Sequence, residues 1–143
     1  MNNLKELIIL YPTFESGGAT NNLINFINYC LKKNIKLTFI SNLKKKNLFS
    51  KKKNMRLITL KNGFFTKYGG RYISSFHSII KLASIINKKD NRNTVVFSFQ
   101  SHILPILICR LFSKKIIIRN SEDAYEATKY ADNKTAAYLS LVL

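Results

Sequence analysis

Residues 7–20 read Leu-Ile-Ile-Leu-Tyr-Pro-Thr-Phe-Glu-Ser-Gly-Gly-Ala-Thr, an apolar run that breaks at Pro12 and then reaches two adjacent glycines. The pattern predicts a strand, a glycine loop and the start of a helix. At such a junction backbone N–H groups and the positive end of a helix dipole converge, and glycine lets an anion approach closely. Gly17 and Gly18 therefore suggest a phosphate or carboxylate site, although a glycine pair can also serve only to turn the chain.

The rest of the chain alternates apolar strand-like runs with helical patterns, which is typical of a parallel sheet wrapped by helices. Its 143 residues and 46% hydrophobic content fit one domain with a sizeable core. We therefore predict an α/β fold, a Rossmann-like parallel sheet flanked by helices, in a single domain over residues 1–143. The strands are predicted near residues 4–11, 35–41, 55–60, 94–99 and 115–120.

Three helices are predicted to pack on this sheet. Apolar residues three and four positions apart define the inner face of an amphipathic helix. These residues are Leu23, Ile27, Cys30 and Leu31 in the first helix, and Ile73, Phe76, Ile80 and Ala83 in the second. Residues 103–112 are apolar nearly all round, and they predict a buried helix between the fourth and fifth strands.

A further helix is predicted to open at Ser121, which can cap it, with Glu122 and Asp123 in its first turn. Its pattern continues to Leu143 without a stop signal. We therefore expect a truncated domain, or half of a larger protein.

The charge balance is strongly basic. Lysine and arginine number 24 against 7 acidic residues, which gives a net charge of +17. Such a surface attracts polyanions: nucleic acid, anionic lipid or phosphorylated substrates. Abundant Asn, Ile and Lys are also typical of an AT-rich genome, which raises surface lysine without any ligand. Both explanations stay open.

The apolar runs are too short for a signal sequence or a membrane span. The sequence predicts a cytoplasmic protein, with peripheral contact on the inner face of the membrane as an option. Cys30 and Cys109 lie far apart on apolar helical stripes and lack CxxC spacing. They predict buried, reduced thiols rather than a disulfide or a metal site.

Two nucleotide-binding patterns are missing from the sequence. A dinucleotide site needs GxGxxG and an acidic residue after the second strand, but the glycines here are adjacent and that strand ends at Ser41-Asn42. The phosphate-loop pattern GxxxxGK[ST] occurs nowhere. No carboxylate pair suggests a two-acid hydrolase, no catalytic residue is assigned, and no cofactor or metal is predicted.

The order of these segments resembles a known family. The Gly17-Gly18-Ala19 loop, the first helix and the strand Ile35-Lys-Leu-Thr-Phe-Ile-Ser41 look like the N-terminal half of the group-one glycosyltransferases, family four of the retaining enzymes with the GT-B fold. Val95-Val-Phe-Ser-Phe-Gln-Ser-His102 resembles the family's fourth strand and polar turn. Lys115-Ile-Ile-Ile-Arg119-Asn120 resembles its fifth strand. The likeness covers essentially the whole chain.

The resemblance implies sugar transfer from a nucleotide-sugar donor to a glycan or lipid-linked acceptor, in surface polysaccharide or glycolipid assembly. In the family the glycine loop lies near the donor diphosphate, which carries over to Gly17, Gly18 and Ala19. Many relatives place a histidine at the end of the fifth strand, where this chain has Arg119-Asn120-Ser121. The family's C-terminal nucleotide-binding domain, with its Glu-x7-Glu motif, has no counterpart here, so this chain alone is expected to be inactive.

Three more residues are candidate substrate contacts at the carboxyl ends of strands, where ligands of α/β proteins bind. His102 follows the fourth strand, although a lone histidine also serves as a cap or in packing. Arg119 ends the fifth strand and needs an anionic partner, either a ligand or one of Glu122 and Asp123. Asn120 is the third candidate.

Two basic segments with interleaved aromatic residues are interpreted as loops that contact an anionic membrane surface. A solvated lysine loop is the alternative. The candidate contacts are Lys44, Lys45, Lys46, Lys51, Lys52 and Lys53 in the first segment, and Phe64 and Phe65 in the second.

Other classes of function remain open. Lysine runs near aromatic residues can hold single-stranded nucleic acid, but the chain has no recognisable nucleic-acid-binding motif, so no specific nucleic acid is expected. A non-catalytic basic binding module and half of a split transferase are the alternatives to the acceptor-side domain of a glycosyltransferase.

Overall fold

The computed structural model describes residues 6–13, 17–42, 53–60, 64–89, 93–99 and 103–119, apart from the side chains of residues 64–72. Within these ranges the strands are β1 Glu6–Leu10, β2 Lys36–Ser41, β3 Met55–Thr59, β4 Thr94–Ser98 and β5 Lys115–Ile118. The helices there are α1 Gly18–Lys32, α2 Phe64–Ile86 and α3 Ile103–Leu111. All five predicted strands are confirmed, each slightly shorter than its apolar run.

The described strands form one parallel sheet in the order β3-β2-β1-β4-β5. Strand β1 is central, and its Glu6 pairs with Lys36 on one side and Thr94 on the other. Parallel neighbours need crossover connections, and right-handed crossovers in this order place α1 on one face of the sheet and α2 and α3 on the other. The chain therefore has the predicted Rossmann-like α/β fold.

Alternate strand positions fill two apolar cores, one on each face of the sheet. The core on the α1 face includes Leu7, Ile9, Leu37, Phe39, Leu23, Ile27 and Cys30. The core on the α2–α3 face includes Ile8, Leu10, Ile40, Val96, Ile79, Leu82, Ile86 and Cys109. Every residue of β1 is buried, as expected for the central strand of a parallel sheet that is covered on both faces.

The predicted inner face is confirmed for α1 and wrong for α2. Helix α1 buries Leu23, Ile27 and Cys30. In α2, Phe76 is 59% and Ile80 is 51% exposed, and the buried stripe runs instead through Ser75, Ser78, Ile79, Leu82 and Ile86. The apolar pattern did not reveal this stripe because two of its positions are serines. A buried hydroxyl is tolerated where it has a hydrogen-bond partner, and Ser78 Oγ donates to the Ser75 carbonyl at 2.6 Å.

Helix α3 is not buried all round, contrary to its sequence pattern. Pro105 and Cys109 face the core, whereas Leu107 is 56% and Leu111 is 74% exposed. The helix contacts α2 and β5, and β5 is an edge strand of the described sheet. Helix α3 is therefore apolar on its buried face and on its exposed face, so its composition alone did not show that one face is exposed.

A polar cluster ties the amino end of β1 to the segment that follows α2. Glu6 is 8% exposed, and Lys89 Nζ donates to both of its carboxylate oxygens at 2.8 Å. Thr38 Oγ1 donates to the same carboxylate at 3.1 Å. Lys114 Nζ donates to the Lys89 carbonyl, which extends the cluster to the start of β5. The buried charge is thus paired and hydrogen-bonded, as buried charges need to be.

Both cysteines are buried free thiols, as predicted. Cys30 packs in the core on the α1 face and Cys109 in the core on the α2–α3 face. Burial raises the pKa of Cys30, and it raises the pKa of Cys109 to about 11 although the charge of Lys114 acts in the opposite direction. The thiolate forms are therefore disfavoured in the folded chain.

We expect the buried Cys109 thiol to make the fold sensitive to alkali. Its pKa is higher in the folded chain than the 9.0 of a free thiol, so stability is complete below pH 9.0 and falls as the pH rises toward about 11. The loss should be at most about 3 kcal/mol, since one pKa unit corresponds to about 1.4 kcal/mol. Urea unfolding at several pH values should give a smaller alkaline loss for Cys109→Ala than for the wild type. Equal losses in the two proteins would contradict the assignment.

Candidate functional site

The start of α1 presents backbone donors at the carboxyl edge of the sheet, and among the described residues no acceptor is seen for the N–H groups of Gly18 and Ala19. Gly17 is the N-cap residue, and the Asn21 N–H donates to its carbonyl at 3.1 Å. The N–H groups of Gly18 and Ala19 precede this first helical hydrogen bond, and no acidic side chain lies in the first turn. The helix dipole adds a partial positive charge at the same point. The geometry suits an anion.

The space around both glycines is open. A Cβ atom at Gly17 or Gly18 would meet no other atom within 4 Å, and both residues are exposed. The Cβ atom of a larger residue at these positions would therefore not collide with the rest of the protein. The backbone at these two positions is therefore accessible to a ligand.

A chain of side-chain contacts links the α1 start to Arg119. Tyr11 Oη and Thr20 Oγ1 are 3.0 Å apart, and the Tyr11 and Phe99 rings meet edge to face with centroids 5.5 Å apart. The guanidinium carbon of Arg119 lies 4.6 Å from the Phe99 ring centroid. A guanidinium stacked on a ring still has its in-plane N–H donors for an oxyanion. The structure thus brings a cation and a helix N-terminus to one edge of the sheet.

Ser41 adds an unsatisfied hydroxyl at this edge. It ends β2, is fully buried, and its Oγ has no hydrogen-bond partner among the described residues. Strand alternation places it on the α1 face with Phe39. Buried polar groups are normally hydrogen-bonded, so this hydroxyl is a candidate polar contact at the carboxyl edge of the sheet. Sequence reasoning missed it, and its only signal was a serine at the end of a buried strand.

The predicted contacts fall into two groups. Gly17, Gly18, Ala19 and Arg119 lie at the carboxyl edge of the sheet, on or near the α1 face. The predictions for His102, Asn120, Lys44, Lys45, Lys46, Lys51 and Lys52 lie outside the described residues, as do Glu122 and Asp123.

The two basic segments are not both loops. Phe64 and Phe65 form the first turn of α2, so the loop interpretation is wrong there. The signal for a helix there is the helical spacing of the aromatic residues Phe65, Tyr68 and Tyr72, which runs on into the pattern of α2. Lys53 is exposed and precedes β3, whereas α2 starts beyond the carboxyl end of β3. Lys53 and Phe64 therefore lie at opposite ends of the sheet.

The exposed charges on the described surface are all positive. Glu6 is the sole acidic residue in the described ranges, and it is buried and paired with Lys89. No group of His, Cys, Asp and Glu in those ranges is placed to hold a metal ion. None of the helices described is long and apolar enough to cross a membrane. Among the described residues, the groups that could attract an anion at this edge are the backbone donors of α1 and Arg119.

No protein-family model matches the chain, and no curated protein matches its sequence. The structure therefore defines a Rossmann-like α/β chain. At the carboxyl edge of its sheet, the start of α1 is accessible and has a geometry that suits an anion.

Proposed function

We propose that the chain is the acceptor-side domain of a glycosyltransferase that moves a sugar from a nucleotide-sugar donor to a polysaccharide or glycolipid acceptor. One observation carries the proposal: the open start of α1 and the guanidinium of Arg119 share one edge of a Rossmann-like sheet. The order of sequence motifs supports it, because the glycine loop and the strand that ends in Arg119 occupy the places they have in the resembling family.

In this proposal the chain stabilises the leaving diphosphate. The N–H groups of Gly18 and Ala19 donate to a phosphate oxygen, and Arg119 balances the negative charge that develops as the sugar departs. These donors are held by a helix and by a stacked ring, so they need little reorganisation during the reaction. A nucleotide-binding domain, in a longer chain or a separate subunit, completes the donor site.

The anion site can be tested with inorganic diphosphate at physiological salt. Amide resonances of Gly18 and Ala19 should shift on titration, and Arg119→Ala should weaken binding by about tenfold or more, as expected for loss of a charge-assisted hydrogen bond. Arg110→Ala is the matched control, because Arg110 is exposed on α3 at the other face of the sheet. Equal weakening by both variants would show general charge attraction and would contradict the site.

A basic binding module is the second candidate, favoured by the net charge of +17 and by a described surface without an exposed carboxylate. Single-stranded DNA would then bind with an affinity that falls steeply with salt. In that case Arg119→Ala and Arg110→Ala should weaken DNA binding alike, because phosphate contacts would be spread over the surface. Copurification of a nucleotide-binding subunit would instead support half of a split transferase.

A further inference from the structure

Three residues take the same place at the ends of three strands. Tyr11 follows β1, Phe99 follows β4 and Arg119 follows β5, each as the first residue after its strand. Their backbone N–H groups continue the hydrogen bonding of the sheet, since each donates to a carbonyl of the neighbouring strand at 2.9 or 3.0 Å. The backbones of these three residues are therefore fixed to the sheet.

The chain leaves β1 in opposite directions along the sheet. Strands β2 and β3 lie on one side of β1, and β4 and β5 lie on the other. Ligands of open α/β sheets bind beyond the carboxyl ends of the strands at such a switch point. Tyr11 and Phe99 end the two strands that flank the switch point, and their rings meet edge to face. Their contact therefore lies where this class of sheet binds ligands.

The hydroxyl of Tyr11 reaches the first turn of α1. Tyr11 Oη lies 3.0 Å from Thr20 Oγ1, and Thr20 directly follows Ala19 in that turn. Tyr11 is 3% and Thr20 is 4% exposed, so this hydrogen bond is shielded from water and is stronger than one at the surface. The bond holds the first turn of α1, with its N–H groups, against the end of β1.

The ring of Tyr11 acts on the other half of the site. Phe99 meets the Tyr11 ring at 5.5 Å and the Phe97 ring at 5.3 Å between centroids, both edge to face. Such contacts on two sides fix the orientation of a buried ring. The Arg119 guanidinium stacks on Phe99, with its central carbon 4.6 Å from the ring centroid. Tyr11 thus influences Arg119 through Phe99.

We propose that Tyr11 is a positioning residue that holds the first turn of α1 and the Arg119 guanidinium in one fixed arrangement. The inference rests on the anion site of the proposed function and names the residue that joins its two halves. Tyr11 acts through Thr20 and Phe99 rather than by touching the ligand. Donors that are already in place bind a diphosphate more tightly, because they need not be ordered when it binds.

Tyr11→Phe tests the α1 half alone, because it removes the hydroxyl and keeps the ring. Its affinity for inorganic diphosphate, measured by calorimetry at fixed salt, should fall by about threefold or more. Thr20→Val removes the other partner of the same hydrogen bond and should cause a similar loss. The double variant should lose no more than either single variant, since all three lack the same bond.

Tyr11→Leu removes the ring as well, and its affinity should fall by at least about tenfold. Adding Arg119→Ala to Tyr11→Leu should then cost less than the same change costs in the wild type, because the guanidinium is already displaced. Adding Arg119→Ala to Tyr11→Phe should cost as much as in the wild type. Thermal melting of each variant checks that it is folded.

Ile27→Val is the matched control for stability. Ile27 is fully buried on α1 in the same core as Tyr11, and loss of one methyl group there costs about as much stability as loss of a hydrogen bond. Its diphosphate affinity should equal that of the wild type. Without ligand, the Asn21 N–H, which donates to the Gly17 carbonyl, should exchange faster in Tyr11→Phe than in Ile27→Val.

The possible failures can be told apart. If Tyr11→Phe and Thr20→Val bind diphosphate as the wild type does, while Arg119→Ala weakens binding, the positioning role is wrong and the anion site stands. Equal affinity losses in Ile27→Val and Tyr11→Phe would show a general effect of stability and would also overturn the positioning role. A wild-type protein that does not bind diphosphate would overturn the anion site, and this inference with it.

Discussion

Replacing Lys89 with methionine should lower the free energy of unfolding by about 3 kcal/mol, because a buried carboxylate then loses its counter-ion. Lys89 Nζ contacts both oxygens of Glu6 at 2.8 Å, and Glu6 is 8% exposed. After the substitution only Thr38 still donates to that carboxylate among the bonds described above. Methionine keeps the apolar stem of the side chain, and the Lys89 carbonyl that accepts from Lys114 is unchanged. Urea unfolding at neutral pH measures the loss.

The pairing of Glu6 with Lys89 can be separated from a general effect of charge. Lys88→Met removes the same charge from the neighbouring, exposed position and should change stability by less than about 0.5 kcal/mol. The double variant Glu6→Gln with Lys89→Met should be more stable than Lys89→Met alone, because it removes the unpaired charge. Equal effects of Lys88→Met and Lys89→Met would show that the pair contributes nothing specific.

The second large effect is expected at the start of α1. Gly18→Val should reduce sugar transfer by about a hundredfold, since it places a branched side chain in the open space where the diphosphate is proposed to bind, and loss of oxyanion-type donors has effects of this order. Stability should be little changed, because a Cβ at Gly18 meets no atom within 4 Å. Release of nucleoside diphosphate over a panel of nucleotide sugars, with the nucleotide-binding domain present, is the readout.

Gly18→Ala is the graded control for this prediction. Its single methyl group leaves the N–H groups more accessible, so its loss of activity should be smaller than that of Gly18→Val. Thermal melting of both variants checks that the fold is retained. A Gly18→Val protein that transfers sugar at the wild-type rate would exclude the α1 start from the reaction.

The sheet was predictable from sequence because its inner strands are apolar on both faces. Strand β1 lies between two parallel neighbours, so its whole length reads as one apolar run. The inner face of α2 was not predictable in the same way. Its buried stripe contains Ser75 and Ser78, whereas Phe76 and Ile80 point outward, so the apolar pattern selected the exposed flank. Periodicity locates a helix, but polar groups that find local partners can hide which side is buried.

The candidate site was predicted only in part for a related reason. Gly17 and Gly18 are recognisable as candidate site residues from their residue type and from their position after an apolar run. The stacking of Arg119 on Phe99 and the edge-to-face contact of Phe99 with Tyr11 join three separate strand ends. Such contacts depend on which strands are neighbours in the sheet, and the spacing of residues along the chain does not determine that order. The orphan hydroxyl of Ser41 likewise becomes visible only when its surroundings are known.

The central position of β1 also has a consequence for how the chain acquires its structure. Strand β1 is made early, yet one of its two neighbours, β4, begins at Thr94. Until β4 has been synthesised, one backbone edge of β1 stays unsatisfied. Contacts between such distant residues slow folding and prolong exposure to association. The emerging chain should therefore depend on protection at the ribosome until β4 has joined the sheet.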